Sequence, residues 1–175
     1  MRLVALVLAA LALFPTIASA HGPTRQKVSE KVEINAPLDK VWEAISNFQD
    51  MSWHPAIEKV EGSGDSAVNA TRTVTLKSGG TIDEKLVEVN PDKHTIKYEI
   101  TKVDTSVLPV NNYTSWISAK ADGDKTLVEW RGAFYRGYMN NDPPPELSDE
   151  AAVKAVQGVY RGGLDGLKAK IEAGG

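Results

Sequence analysis

Few side chains in this 175-residue sequence are of a type that does chemistry, and their neighbours limit which chemistry is open to them. There is no cysteine, which removes thiol nucleophiles, disulfides and thiolate metal sites together. The histidines are His21, His54 and His94. His94 precedes a run of strand character and reads as a strand-start residue rather than a catalytic base. His54, between Trp53 and Pro55, suits the mouth of a cavity, or a half-buried ring bonded to backbone; the sequence leaves both open. Glu84 alternates with Ile82 and Leu86, which puts a carboxylate on an apolar strand face unless a bulge or edge position turns it to water. His21, once a leader is removed, would carry an amine and an imidazole together, a start for copper binding. That needs further ligands at defined geometry, with only two other histidines available, and a frayed terminus is the simpler reading. No G-x-S-x-G elbow, Walker-type phosphate loop or H-E-x-x-H pair is present. No metal site and no cofactor is expected.

Strand parity collects further candidates. Tyr98 and Ile100 share a face with Ile96, Tyr113 and Ser115 with Ile117, and Trp130 and Phe134 with Val128. Together with Trp53, these groups either line a pocket or fill an ordinary core. They need elements to position them, and the last part of the chain supplies the clearest one. From Leu147 to Ala173, Ala152, Val153, Val156, Val159, Tyr160, Leu164, Leu167 and Ile171 recur at the spacing of one helix face. Ser148 is placed to cap that helix, and Asp149 and Glu150 suit its dipole. Gly158, Gly162 and Gly166 fall at four-residue intervals beside Gly163, and each costs about 1 kcal/mol against alanine in a helix interior. Close approach to a sheet would offset that cost, as would free space above a pocket; close packing is the expectation.

Ahead of the helix, the chain reads as strand. Lys27 to Asn35 alternates, Pro37 opens a helix with Asn35 as its cap, and Val41, Trp42, Ile45 and Phe48 form its apolar side. Trp53-His54-Pro55 begins a second short helix or turn. Strands then fill residues 57 to 137, punctuated at Gly62-Ser63-Gly64-Asp65, Ser78-Gly79-Gly80, Asn90-Pro91-Asp92 and Asp122-Gly123-Asp124. This is an α+β layout in one domain, with about seven antiparallel strands and two short helices after the first strand. A lone long helix can bury its stripe only by lying across the sheet, and a curved sheet leaves a hollow beneath it. Tyr135 to Asn141, before Pro143-Pro144-Pro145, has the mixed character of a contact surface or of a solvated loop.

Residues 1–20 read as a cleaved signal peptide, with Arg2, the apolar run Leu3 to Phe14, and Ala18-Ser19-Ala20. The expected mature domain is 21–175, exported to the periplasm and without membrane insertion after cleavage. Its charge would be 19 minus 23, or −4, which argues against nucleic acid as a partner.

Several segments carry a resemblance. Trp53-His54-Pro55-Ala56-Ile57, Gly79 to Leu86 and Leu108-Pro109-Val110-Asn111-Asn112-Tyr113, in this element order, resemble the START-like (SRPBCC) superfamily, in its polyketide cyclase/dehydrase-type branch. The resemblance implies a helix-grip fold with an apolar cavity between sheet and terminal helix. It also implies a gate at Ser78, Gly79 and Gly80, and a latch at Leu108, Pro109 and Val110. Pocket candidates are then Trp53, His54, Glu84, Tyr98, Ile100, Tyr113, Ser115, Trp130, Phe134, Val156 and Tyr160. The chain lacks the proline-containing gate and histidine-arginine latch of the hormone receptors in that superfamily. With the leader, His21-Gly22-Pro23, Phe134 to Tyr138 and the Asn-Asp-Pro-Pro-Pro run, it is similar to the MxaD-type proteins of bacterial methanol oxidation. That likeness implies a periplasmic, non-catalytic accessory of methanol dehydrogenase and its cytochrome c. A binding protein for a small apolar ligand, and a cyclase-like enzyme using Glu84 or His54, are the alternatives.

Overall fold

The computed structural model describes residues 22–174, so the expected leader, its cleavage site and His21 lie outside the described residues. β1 (Gln26–Ile34) leads to α1 (Leu38–Ser46), and six strands follow: β2 (Ile57–Ser63), β3 (Thr71–Leu76), β4 (Thr81–Asn90), β5 (Thr95–Val103), β6 (Val110–Asp122) and β7 (Lys125–Arg136). A 3-10 turn at Pro145–Leu147 precedes α2 (Asp149–Glu172). All pairings are antiparallel, in the order β1-β7-β6-β5-β4-β3-β2. Register shifts between Asp83 and Glu84, Leu86 and Glu88, and Asn111 and Thr114 bend the sheet, since each bulge kinks its strand. The sheet curls around α2 in the helix-grip arrangement.

The inward parity holds. Tyr98, Tyr113, Ser115, Ile117, Val128, Trp130, Phe134, Ile82, Glu84 and Leu86 are all buried. α2 begins as expected, with Ser148 Oγ accepting the Ala151 N–H at 3.2 Å. Its face of Ala152, Val156, Tyr160, Leu164, Leu167 and Ile171 is buried against the sheet. At the β1 edge, Arg161 donates to the Lys31 carbonyl at 2.9 Å and Lys168 to the Glu33 carbonyl at 2.6 Å.

Two local expectations are corrected. Asn35 does not cap α1; no side chain does, and the Asn35 N–H donates to Glu172 Oε1 at 2.8 Å. Trp53-His54-Pro55 is not a second helix but two successive turns, closed by His54 N–H to the Met51 carbonyl and Ile57 N–H to the His54 carbonyl. Pro55 accounts for this, because it brings no N–H and pushes His54 away from helical backbone angles.

The helix glycines divide in two. A Cβ on Gly166 would collide with the Trp53 carbonyl, and one on Gly163 would lie 2.5 Å from the Trp130 ring and 2.6 Å from the His54 ring. Gly158 and Gly162 face open space. The close approach therefore runs through Gly163 and Gly166, and the four-residue repeat is not itself the contact stripe.

Candidate functional site

Between the β2–β4 end of the sheet, the Met51–Ile57 turns and α2 lies a hollow of about 230 Å³. Met51, Ile57, Val74, Leu76, Ile82 and Val159 give it apolar walls, and Trp130 lines it from β7. Its polar groups are His54, Ser78 and Glu84, and Val107 and Leu108 close one side. Of the residues singled out in the sequence, the hollow thus gathers His54, Ser78, Glu84, Leu108 and Trp130. The Ser78–Gly80 turn touches the loop ahead of β6 at Val107. A Cβ on Gly80 would run into Val107, and both Gly79 and Gly80 adopt positive φ.

The other candidates lie elsewhere. Tyr98, Tyr113, Ser115 and Tyr160 form a closed hydroxyl cluster deeper in the core. Tyr113 and Tyr160 hydroxyls are 2.6 Å apart, Tyr160 and Ser115 are 3.1 Å apart, and Trp130 Nε1 donates to Ser115 Oγ at 2.9 Å and Tyr98 Oη at 3.0 Å. Tyr160 stacks on Trp130 with ring centres 4.7 Å apart. Burial pushes all three phenols well above their ordinary range, so they stay protonated and act as bonded core. Trp53 packs edge-on against Trp130, Phe134 stacks on Tyr113, and Val156 is buried on the sheet-facing side of α2. Ile100, Val110 and Tyr113 border a separate groove with Asn111 and Asn112. Pro109 is half-buried and packs beside Gly137.

Glu84 does not reach for water at its bulge. It pairs with Arg72, directly opposite on β3: Nε donates to Glu84 Oε2 at 2.6 Å, and Nη2 lies 2.6 Å from the same oxygen. Arg72 Nη1 donates to the Phe48 carbonyl at 2.5 Å, and the guanidinium sits 4.0 Å over the Phe48 ring. Both members are almost fully buried. Burial raises the Glu84 carboxyl above its usual range, with the Arg72 charge pulling it back. Sequence reasoning missed Arg72. The signal was present, since Arg72 shares strand parity with Val74, on the face that β3 turns to the core.

His54 is bonded at both ring nitrogens. Nε2 lies 3.1 Å from the Val159 carbonyl, and Nδ1 accepts the Ala56 N–H at 3.2 Å. A carbonyl needs a donor and an amide needs an acceptor, so the ring is neutral with its proton on Nε2. Burial also lowers its pKa. The unfolded chain then binds the extra proton first on acidification. The stability His54 contributes is complete above about pH 6.5 and is lost as pH falls toward its folded value. Thermal unfolding between pH 7.5 and 5 should show that decline, and a His54→Gln variant should flatten it. An unchanged slope would remove this account. Among the described residues, no cluster of three metal-ligating side chains forms, and no helix is long and apolar enough to cross a membrane.

A sheet that grips a terminal helix over a lined hollow has relatives. Residues 25–172 match the family described as polyketide cyclase / dehydrase and lipid transport. The chain belongs to this family. Among solved structures, it is 28% identical to the protein XoxI from Bacillus cereus, covering 82% of this chain and 94% of that one with a TM-score of 0.69. A protein from Nitrosospira multiformis is 26% identical over 83% of this chain and 95% of its own, at 0.68. Norcoclaurine synthase from Thalictrum flavum, solved with dopamine and hydroxybenzaldehyde, covers 95% of each chain at 17% identity and 0.66. At that identity the last likeness speaks for the helix-grip fold alone. No functionally curated protein matches the chain.

Proposed function

We propose that this family member is a non-catalytic binding protein for one small, mostly apolar molecule held between the sheet and α2. The observation that carries the reading is the roughly 230 Å³ hollow whose main polar groups are already engaged. A cyclase using His54 as base would need its Nδ1 lone pair, which accepts the Ala56 amide. Glu84, as acid or base, is committed to Arg72 through Oε2. A dry cavity of about 150 Å³ takes benzene, so this one suits a substituted ring or short chain of about ten non-hydrogen atoms. Titrating the protein with single-ring aromatics, followed by NMR, should give saturable binding that shifts the Trp130 indole. Leu76→Phe, which fills the hollow, should abolish it. Binding that survives Leu76→Phe, or none across the series, would sink the reading.

The setting we propose is the periplasm, where the chain would assist methanol dehydrogenase and its contact with cytochrome c. The resemblance to the MxaD-type proteins motivates this, and one feature of the same segment favours it. Buried Arg136 donates to the Tyr138 carbonyl at 2.7 Å and the Asn140 carbonyl at 2.8 Å, and pairs with Asp149 at 3.2 Å. The Tyr135–Asn141 run is thereby held in one shape ahead of the proline segment, as a preformed surface for a partner. Adding the protein should speed cytochrome-coupled methanol oxidation and leave the rate with artificial acceptors unchanged. Equal cytochrome rates with and without it would count against this setting.

A further inference from the structure

The outer face of the sheet, turned away from α2, carries a second feature. Across β1, β7 and β6 lies an open groove of about 440 Å³. Its floor is made of the small side chains of Ser29 and Ala133 and the backbone of Gly132, and Trp116 forms one wall. Arg25, Lys27 and Arg131 surround it, and no carboxylate lines it. The register explains the arrangement. Arg131 stands opposite Ser29 on one side and Trp116 on the other, and Lys27 stands opposite Ala133. Small side chains on the middle rows leave the depression, and long cationic ones stand around it.

These cations are not used up by the fold. None of Arg25, Lys27 and Arg131 forms an ion pair among the described residues. Arg131 lies 4.7 Å over the Trp116 ring and Arg25 5.8 Å over Tyr135. On the same face, Glu129 is taken by Ser29 at 2.7 Å and Lys31 at 3.6 Å, and Glu99 stands on β5 opposite Thr114, outside the groove's lining. A chain of formal net charge −3 therefore concentrates unpaired positive charge around one aromatic wall.

We propose that this groove docks an acidic polypeptide segment of a partner protein, carrying several carboxylates and one apolar side chain. Charge complementarity selects the occupant. Lys27 and Arg131 stand on neighbouring strands about 5 Å apart, and Arg25 lies just ahead of β1, so the three match several carboxylates more closely than one. Open on one side, the groove leaves a small anion largely in water, where a single pairing is worth little. Trp and Arg together are the residue types that anchor protein interfaces. An apolar side chain on Trp116 would add the desolvated centre that charge alone lacks. This surface lies on the other side of the sheet from the hollow, and the proposal depends neither on that hollow's occupancy nor on the identity of any dehydrogenase.

The test uses the full mature protein and a fluorescent twelve-residue peptide rich in Asp and Glu with one central Leu. Its Asn/Gln counterpart serves as the neutral control. Anisotropy should show binding by the acidic peptide at low salt, weakening steeply between 20 and 200 mM NaCl. The neutral peptide should bind at least tenfold more weakly. Lys27→Glu with Arg131→Glu should reduce acidic-peptide binding at least tenfold, with the thermal midpoint near that of the native protein. Arg131→Gln, a gentler change, should give a smaller loss in the same direction. Binding indifferent to these substitutions would overturn the proposal, as would no binding at 20 mM NaCl. So would benzoate or citrate competing at the peptide's own concentration, anionic vesicles binding in place of the peptide, or self-association through this face in light scattering.

Discussion

Replacing Arg72 with methionine should lower the stability of the folded chain by about 3–5 kcal/mol, among the largest losses any single substitution here would cause. Its guanidinium is the counter-charge of a carboxylate that is only 7% exposed, and it also satisfies the Phe48 carbonyl and covers the Phe48 ring. Methionine keeps much of the apolar contact and removes the charge, which leaves Glu84 buried alone. The deficit should be greatest at neutral pH. It should shrink as pH falls through the raised Glu84 value, because a protonated Glu84 no longer needs a cation. Urea unfolding at pH 7 and pH 5 measures both. Removing the two together, as Arg72→Met with Glu84→Leu, should recover most of the loss. A single-variant loss below about 1 kcal/mol would mean that the pair is far better hydrated than its burial indicates.

Alanine at Gly166 should be the second severe substitution. The new methyl meets a backbone carbonyl, that of Trp53, and lies 2.8 Å from Pro55 Cδ, neither of which can swing aside. Forcing the helix outward there should cost about 1–3 kcal/mol, toward the upper end because the obstacle is main chain. It should also widen the hollow, since the same turns carry His54. Alanine at Gly158 or Gly162 meets nothing within 4 Å and should stabilise by up to about 1 kcal/mol. Thermal unfolding of these three variants tests the division directly. Destabilisation by Gly158→Ala equal to that of Gly166→Ala would contradict it.

The contrast among these glycines shows where the sequence stops being informative. Spacing marks four small residues on a helix, but which of them touch the sheet depends on the rotation of α2. That rotation is set by large residues such as Tyr160, whose hydroxyl finds room only because residue 132 is a glycine. Strand parity was more dependable, because a side chain on a paired strand has only two faces to choose from. It put Glu84 on the apolar face while leaving a turn to water open, and it would have put Arg72 on that face too. What hid Arg72 was the habit of reading an arginine as exposed. The lining residues were the least legible. Tyr98 and Tyr113 share the sheet's inward face with Trp130, and Tyr160 meets them from α2, yet bonds among the Tyr113 and Tyr160 hydroxyls and from the Trp130 indole to Tyr98 draw them into the core and leave the hollow to Met51, Ile57 and Val74. A hollow is what remains after side chains pack, and no local pattern records it.

The rims of the sheet have a consequence for how this protein keeps to itself. A terminal strand exposes unpaired carbonyls that a neighbouring chain can adopt as a template for fibrous stacking. On β1, Arg161 and Lys168 plug the Lys31 and Glu33 carbonyls from the helix, so stacking there would first have to dislodge two cations. At the opposite rim, the irregularity between Ile57 and Lys59 and the charged Lys59–Glu61 pair spoil the flat surface that a second strand would need. With no disulfide to hold the chain shut, these two guarded rims should hinder strand-to-strand stacking at high concentration.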